Sequence, residues 1–394
     1  MKNLIILVLV SVLVYTAVGI SSPLISLYLQ SLGADYAHIS WILSSVVITS
    51  LLSSYAWGRL SDRIGRRKPI LIGGLLILSI AYFLLSRAPD GQWAWAARIF
   101  EGIGSAAYAT LGLAMIGDLM EQGTRKGLNM GIVRGLGSLA FALGSTLGGR
   151  LADATSIAQT LIVCAALYGA AALCALVLTE VRRAPIITGP VVIQNTPGAT
   201  KAARALPVAF LAGVFFWISA HSASASMWPN YMTELGYSKT AIGSLWGLAA
   251  TIELPAMLGA GFLSDIIGRT PLLIAGGLGI SLTNLGYLFL AQIFPLLLGV
   301  QVMRALGYGS YTTTAMTFAA ENADQQTRGR KSGIFNTTMS AGQLLGTYLG
   351  GTIVQAFGFH FLYGVCAALA FMSAVCFLIL RKPVKSAEPL AVTH

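Results

Sequence analysis

Charge is scarce in this chain. Of 394 residues only 14 are acidic and 25 basic, together 10%, while 56% are hydrophobic and the mean hydropathy is +0.75. Soluble globular domains carry about 25% charged residues, so this composition excludes one of ordinary kind and predicts an integral membrane protein. Twelve spans of about 20 to 25 residues consume most of the length, leaving no room for a sizeable soluble domain. Cysteine is scarce too, with four residues. Cys164 and Cys174 share one predicted helix and Cys366 and Cys376 another. Ten helical residues rise about 15 Å, too far for a disulfide, so packing is their expected role. The signatures of intramembrane chemistry are missing as well. There is no H-E-x-x-H pair of metal ligands, no aspartate-rich phosphate motif and no complete G-x-S-x-G elbow. The G-x-G at Gly135 to Gly137 lies mid-span rather than after a strand. An enzyme, a resident metal and a cofactor are therefore not expected.

The basic excess, net +11, would suggest nucleic acid in a soluble protein, but its distribution gives another reading. Basic residues fall at Lys2, Arg59 to Lys68, Arg125 and Lys126, Arg182 to Arg204, Arg269, Arg328 to Lys331 and Arg381 to Lys385. All lie on loops of one parity, and the opposite side holds little beyond Arg87, Arg150 and Lys239. The positive-inside rule then puts both termini and the central loop in the cytoplasm, with the protein in the inner or plasma membrane. The lipid bilayer is the expected partner, not nucleic acid. The apolar run from Leu4 to Leu29 is too long for a signal-peptide core and reads as the first span.

Predicted spans run about 4 to 29, 39 to 59, 70 to 87, 93 to 117, 128 to 151 and 158 to 179, then 207 to 232, 239 to 262, 271 to 290, 293 to 318, 331 to 356 and 360 to 380. Between the two sets, Glu180 to Leu206 carries three prolines and four basic residues and reads as a flexible linker. The expected organisation is an N-terminal six-helix bundle (1–180), a cytoplasmic linker (181–206), a C-terminal six-helix bundle (207–381) and a tail (382–394). The halves look homologous. GRLSDRIGRRKP at Gly58 to Pro69 recurs as GFLSDIIGRTP at Gly261 to Pro271, each in a polar hairpin between two apolar runs. GSTLGG at Gly144 to Gly149 recurs as GTYLGG at Gly346 to Gly351. In both hairpins an Asp (Asp62, Asp265) precedes an Arg (Arg66, Arg269) by four residues, a spacing at which the two can pair across one helical turn.

These residues resemble the signature loop of the major facilitator superfamily, G-x-L-[AS]-D-x-x-G-R-[RK]. Gly58, Asp62, Arg63, Gly65, Arg66 and Arg67 match it once, and Gly261, Asp265, Gly268 and Arg269 match it again. The resemblance covers nearly the whole chain. It implies an all-α fold of twelve transmembrane helices in two pseudo-symmetric six-helix bundles, working by alternating access. It also makes these loops a conformational latch, with Asp118 joining Asp62 and Arg66. RIFEGIGSA, Arg98 to Ala106, is similar to the fourth-span motif of drug and proton antiporters, with Glu101 where glutamine is usual; by that likeness Arg98 takes part in proton coupling. GSTLGG resembles the glycine-rich fifth-span motif of the same antiporters, with Ser145 where that motif has proline.

Helical period shows where polar residues point. Tyr15, Gly19, Ser22 and Ser26 share a face of span 1; Arg134, Ser138, Phe141 and Ser145 of span 5; Trp217, His221, Ser224 and Trp228 of span 7; Arg304, Tyr308 and Tyr311 of span 10; Asn336, Ser340, Gln343 and Thr347 of span 11. Spans 3, 6, 9 and 12 carry few polar residues and are expected to face lipid.

Charge inside a span is costly unless paired or facing a wet cavity. The candidates are Arg98, Glu101, Arg134, Glu253 and Arg304, with His221 as a titratable addition. Arg98 and Glu101 lie three apart, so either they form a local ion pair or Glu101 takes a proton and releases Arg98. Glu253 sits near mid-bilayer with no basic residue within two turns and Trp246 on its face, so either its protonation is coupled to substrate occupancy or it is tied structurally to Arg304 or Arg134. Proton coupling is assigned to Glu253, Glu101, Arg98 and His221. The predicted substrate cavity takes Trp217, His221, Trp228, Trp246, Glu253, Arg134, Arg304, Tyr308, Tyr311, Asn336 and Gln343. The leading expectation is a monomeric secondary transporter that exports small amphipathic or drug-like compounds against protons, with the proton gradient as energy source. The alternative is a proton-coupled transporter of sugars or small metabolites.

Overall fold

A computed structural model describes residues 2–121, 126–179, 206–321 and 328–380, and every regular element among them is helical. The helices are α1 (Lys2–Ser21), α2 (Ile25–Ser31), α3 (Tyr36–Ile64), α4 (Lys68–Ser86), α5 (Gly91–Glu121), α6 (Lys126–Ala154), α7 (Ile157–Leu176), α8 (Val208–Glu234), α9 (Lys239–Ile267), α10 (Arg269–Leu290), α11 (Phe294–Glu321) and α12 (Arg328–Ile379). Span 1 is partitioned differently from the expectation: it is broken where Pro23 interrupts the helical ladder, giving α1 and the short α2. Spans 11 and 12 are the two arms of α12, which meet at a non-helical Gly358 with φ 80°, between the expected bounds of 356 and 360. Eight helical segments meet the length and hydropathy of a membrane crossing; α5, α6 and α11, which carry most of the intramembrane charge, are not among them. The linker and tail lie outside the described residues, and all four cysteines are free.

The signature hairpins are tighter than expected. Asp62 and Arg63 belong to the last turn of α3, and only Gly65 to Arg67 separate it from α4. Gly65, at φ 65°, takes the left-handed conformation that ends the helix, with its N–H returned to the Ser61 carbonyl. Gly268, at φ 90°, is all that separates α9 from α10.

Duplication is written in close contacts. A methyl group at Gly144 or Gly148 would collide with the carbonyls of Thr16 and Ile20 on α1, and one at Gly346 or Gly350 with those of Ser219 and Ala223 on α8. Glycine here lets two helix backbones touch within each half. The last glycine of each motif faces the other half. Gly149 abuts the Lys239 carbonyl at the start of α9, and Gly351 abuts Tyr36 and Ser40 at the start of α3. The two repeated hexapeptides thus make one pseudo-symmetric seal of α6 on α9 and α12 on α3.

Hydrogen bonds reinforce it. The Asp153 carboxylate at the end of α6 accepts from Thr240 N (2.7 Å) and Lys239 N (3.3 Å), capping α9 from across the interface. Gln355 on α12 repeats this in neutral form, its Oε1 accepting from Tyr36 N at 3.1 Å. Ser145 Oγ donates to Gly243 O (3.0 Å), Ser138 Oγ to Ala250 O (3.2 Å), and Ser40 Oγ accepts from Gly351 N (2.6 Å). The bonds of Asp153, Gln355, Ser145 and Ser40 all lie at this end, and that of Ser138 lies deeper, at the cavity. Toward Asp62 and Asp265 the halves part: a side chain at Gly58 or Gly259 would meet nothing, and Leu52, Tyr55, Leu258 and Phe262 are exposed.

Spans 3, 6, 9 and 12 present Ile80, Leu173, Phe289 and Phe371 outward, the lipid-facing character expected of them. Their inner faces are less apolar than expected, because Tyr82, Tyr168, Asn284 and Tyr363 are buried against the bundle interior.

Gly149→Val together with Gly351→Val should force the seal open, since overpacking costs about 1–3 kcal/mol per site. Labelling of an Ala142→Cys reporter by an impermeant maleimide, in a background lacking the native cysteines, should rise roughly tenfold or more; unchanged labelling would mean these glycines do not hold the contact. A second expectation concerns acid. Burial pushes the Asp153 carboxyl up, but the bonds from Thr240 and Lys239 and the Lys239 charge outweigh it and hold the group below its ordinary range. A depressed carboxyl contributes above its ordinary pKa and is lost as pH falls through the depressed value. The reporter's labelling rate, divided by that of a free thiol at the same pH to remove the loss of thiolate, should therefore stay constant from about pH 8 to 5 and rise only below about pH 4; a step near neutrality would contradict this.

Candidate functional site

Between the halves, beneath the seal, lies a cavity of about 650 Å³, within the usual range for a small-molecule site. α1 supplies Ser11, Val14, Tyr15 and Val18; α5 supplies Ser105, Tyr108 and Ala109; α6 supplies Ser138 and Phe141. The second half contributes His221 from α8, Trp246, Glu253, Leu254 and Met257 from α9, and Arg304 and Tyr308 from α11. Leu78 and Tyr168 reach in from the peripheral helices α4 and α7.

The only carboxylate in this lining is not alone. Arg304 Nη2 lies 3.3 Å from Glu253 Oε1, and both side chains are largely buried, 9% and 17% exposed. The guanidinium carbon also stands 5.3 Å from the Trp246 ring centroid, a cation–π distance. Because the partner comes from another helix, inspection of α9 alone leaves Glu253 looking uncompensated. Next to the pair, Tyr311, Trp217, His221 and Tyr308 form a continuous pile of rings. Centroids are 3.7 Å apart between Trp217 and Tyr311, 5.1 Å between Trp217 and His221, and 5.0 Å between His221 and Tyr308. Trp217 Nε1 donates to Gly276 O at 3.2 Å, which anchors the pile to α10.

Several expected cavity residues therefore stand behind the wall. Trp217 and Tyr311 are fully buried and support His221 and Tyr308 from beneath. Trp228 packs edge-on against Trp246 at 5.5 Å and lines a smaller recess instead. Asn336 and Gln343 are exposed on α12 and do not line this cavity, because the period of span 11 fixes their common face but not which way it turns. The side chains of Arg134 and Asp118 lie outside the described residues.

Arg98 and Glu101 do pair, the local option left open by their spacing, and Tyr82 donates to Glu101 Oε1 at 3.1 Å. The Tyr82 hydroxyl also meets Ser21 Oγ at 2.9 Å, and its ring lies 5.2 Å from that of Tyr168. This pair thus sits one layer behind the cavity wall formed by Tyr168. Residues that sequence reasoning passed over are Ser11, Ser105, Tyr108 and Tyr168. The first three had a signal: Ser11 is one turn before Tyr15, and Ser105 and Tyr108 continue the face of Glu101. Tyr108 and Ser11 bond to each other at 3.2 Å. Tyr168, on an apolar helix, had none.

At the open end the second signature hairpin is tied to its neighbour. Arg269 bonds Asp265 at 2.6 Å, Glu321 at 2.6 and 3.1 Å, and Ser264, tying the α9–α10 turn to the end of α11. The Arg269 guanidinium holds the Glu321 carboxyl below its ordinary range. In the first copy Asp62 and Arg63 are exposed, Arg66 and Arg67 are half-buried, and Lys68 donates to Leu176 O at 2.8 Å.

Comparison with known proteins agrees with this architecture. A family model, the Major Facilitator Superfamily, matches residues 7–293 and again 205–394. A "Putative sugar efflux transporter" of Deinococcus radiodurans is 27% identical over 381 residues, spanning 92% of this chain and 94% of that protein. The "Multi-drug resistance efflux pump PmrA" of Streptococcus pneumoniae is 26% identical over 157 residues, 38% of this chain and 39% of that one. Among solved structures, a mutant form of the nucleoside transporter NupG superposes with a TM-score of 0.81 at 15% identity, covering 96% of this chain and all of that one. A duplicated twelve-helix membrane fold, sealed at one end over a central cavity, and a family match along its length lead to one conclusion: the chain belongs to the Major Facilitator Superfamily and is a multi-pass membrane transporter, not an enzyme.

Proposed function

We propose that this transporter exports small, neutral, hydroxyl-bearing solutes such as sugars, by alternating access coupled to protons. The observation that carries the choice is the Glu253–Arg304 pair. An isolated carboxylate among aromatic rings would select a cation. Compensated by Arg304, the same carboxylate leaves this part of the wall without net charge, and rings together with the hydroxyls of Ser11, Tyr15, Ser105, Tyr108 and Tyr308 suit a sugar face. The name of the Deinococcus relative points the same way, and export is the direction in the names of both relatives.

One observation favours a second reading, export of amphipathic drug-like compounds. Val14, Leu78, Phe141, Leu254 and Met257 make much of the lining apolar. That was the leading expectation from the sequence.

In the proposed cycle Glu253 carries the proton. Protonation removes the charge that Arg304 faces and frees its guanidinium to rearrange with cargo, so proton and cargo occupancy become mutually dependent. Arg98–Glu101, His221 and the aromatic pile assist as the surroundings of that switch. The cavity opens at the end bearing the basic loops, which by the positive-inside rule is the cytoplasmic face of the inner or plasma membrane, with both termini on that side. The state described is then inward-facing, with the seal of Gly149, Gly351 and Asp153 on the outer side. Cycling requires that seal to part while the loops around Asp62, Asp118, Asp265 and Arg269 close, the halves 1–180 and 207–381 rocking as units of a monomer about the linker 181–206. No cofactor is invoked.

Two measurements in proteoliposomes test this. Glu253→Gln should abolish uphill export driven by a pH jump while leaving cargo exchange and affinity within about threefold of wild type, a free-energy change under about 1 kcal/mol; normal uphill export would remove Glu253 from the coupling. Arg304→Met should uncover the carboxylate and raise binding of a hydrophobic cation such as tetraphenylphosphonium about tenfold. Tight cation binding already present in wild type, with none of sugars, would favour the amphipathic reading.

A further inference from the structure

A second, much smaller recess opens beside the central cavity. It is lined by His221, Ser224, Trp228, Asn284, Tyr287 and Arg304, among others, and shares His221 and Arg304 with the main cavity. Its free volume is about 10 Å³, room for one oxygen-sized group and not for a ring. Trp228, Asn284 and Arg304 are 2%, 1% and 8% exposed. Each carries a buried polar atom without a hydrogen-bond partner: Trp228 Nε1, Asn284 Oδ1 and Arg304 Nε.

The chemistry of these three atoms is specific. Asn284 Nδ2 donates to Ile280 O at 2.8 Å, which fixes the amide so that Oδ1 is the free acceptor. The residues lining the recess therefore carry two N–H donors and one acceptor without partners. A halide would satisfy the donors but face the Asn284 oxygen, and a cation would face the Arg304 guanidinium. An alcohol, with one O–H to give and two lone pairs to receive, matches all three. Leaving such groups unpaired is costly, so an oxygen that meets them gains affinity.

We propose that this recess is a hydroxyl-selecting subsite: one hydroxyl of the cargo enters it, donating to Asn284 Oδ1 and accepting from Trp228 Nε1 and Arg304 Nε, while the ring stays in the main cavity against Trp246 and Tyr308. The subsite lies between α8, α10 and α11, so it draws a polar contact from a peripheral helix, the span that sequence period assigned wholly to lipid. It rests on the reading of the cargo as a neutral hydroxylated solute and adds where that solute is recognised. It also gives Arg304 two duties, Nη2 toward Glu253 and Nε toward cargo. A cargo that holds Nε competes with any rearrangement of the guanidinium.

The test is binding of methyl α-D-glucopyranoside and methyl β-D-galactopyranoside, with each of their monodeoxy analogues, to purified wild-type protein and to Trp228→Phe and Asn284→Ala. In wild type, removal of one particular hydroxyl should weaken binding by about tenfold or more, because the site's polar groups are then left unpaired. In both variants the parent glycoside should weaken to a similar degree, and the penalty for that deoxy analogue should shrink to within about twofold. A wild-type series in which no single hydroxyl matters overturns the subsite without recourse to any variant. So does a deoxy penalty that persists unchanged in Trp228→Phe and Asn284→Ala, the result expected if ordered water alone fills the recess; in both cases the cargo reading stands. Absence of any glycoside binding in wild type defeats the cargo reading, and the subsite with it.

Discussion

A carboxylate and a guanidinium held against each other at mid-bilayer set the terms for the rest of this molecule. Neither Glu253 nor Arg304 could stay charged alone in hydrocarbon, and removing one partner of such a pair leaves the other uncompensated. Their meeting requires α9 and α11 to be packed so that residues 51 positions apart face each other across a cavity. The Trp246 ring over the guanidinium and the pile of Trp217, His221 and Tyr308 beside it are the apolar frame that keeps the pair partly dry. The pair is strong enough to persist and leaves little of its charge for a guest. The proton coupling proposed for it rests on the same facts, because a single proton on Glu253 would cancel the interaction that positions Arg304.

The frame in turn depends on how the halves are held. Small residues do in a membrane what a hydrophobic core does in water, since lipid offers apolar side chains no penalty to escape. Gly144 and Gly148, with Gly346 and Gly350, fasten each half internally, and Gly149 and Gly351 let the halves touch. The same six-residue phrase, used twice, serves both purposes. The capping of α9 by Asp153 and of α3 by Gln355 extends the symmetry to hydrogen bonding, with charge on one side only. A seal made of backbone contact and a few capping bonds is well suited to reversal. It buries little that cannot be solvated when it opens, and the one carboxylate it has among the described residues, Asp153, is held below its ordinary range, so sealing need not answer to the protons proposed to act at Glu253.

Much of this was legible in the residues. Span number, duplication, the hairpins and the free cysteines follow from runs of apolar residues, repeats and rise per residue, all of which are local. The break at Gly358 was legible as well, as the boundary between the spans expected at 331–356 and 360–380; Pro23 was read through, because apolar runs on either side hide a change of direction. Helical period also correctly placed Tyr15, Ser138, Phe141 and Tyr308 toward the interior. It could not say how deep a face lies, so Trp217 and Tyr311 were taken for wall when they are its support, or toward which neighbour a stripe turns, as with Asn336 and Gln343. The larger gap was the partner of Glu253. An acid with no base within two turns of its own helix left Arg304 and Arg134 as possible partners from other spans, and only tertiary packing brings Arg304 to it.

That gap decides what kind of guest fits. An aromatic cage around a bare carboxylate and an aromatic cage around an ion pair differ by one residue from a distant helix, yet the first is a cation trap and the second a nearly neutral surface rich in donors and acceptors. With the charge answered from within, discrimination must come from hydrogen bonds, and these are sharpest where polar atoms are buried and unanswered. Trp228 Nε1, Asn284 Oδ1 and Arg304 Nε are such atoms, gathered beside the very guanidinium that answers Glu253. Recognition and coupling then converge on one side chain. A solute that engages Arg304 from one edge must alter how it meets Glu253 at the other, which is the physical condition for cargo and proton to sense one another without a relay between distant sites.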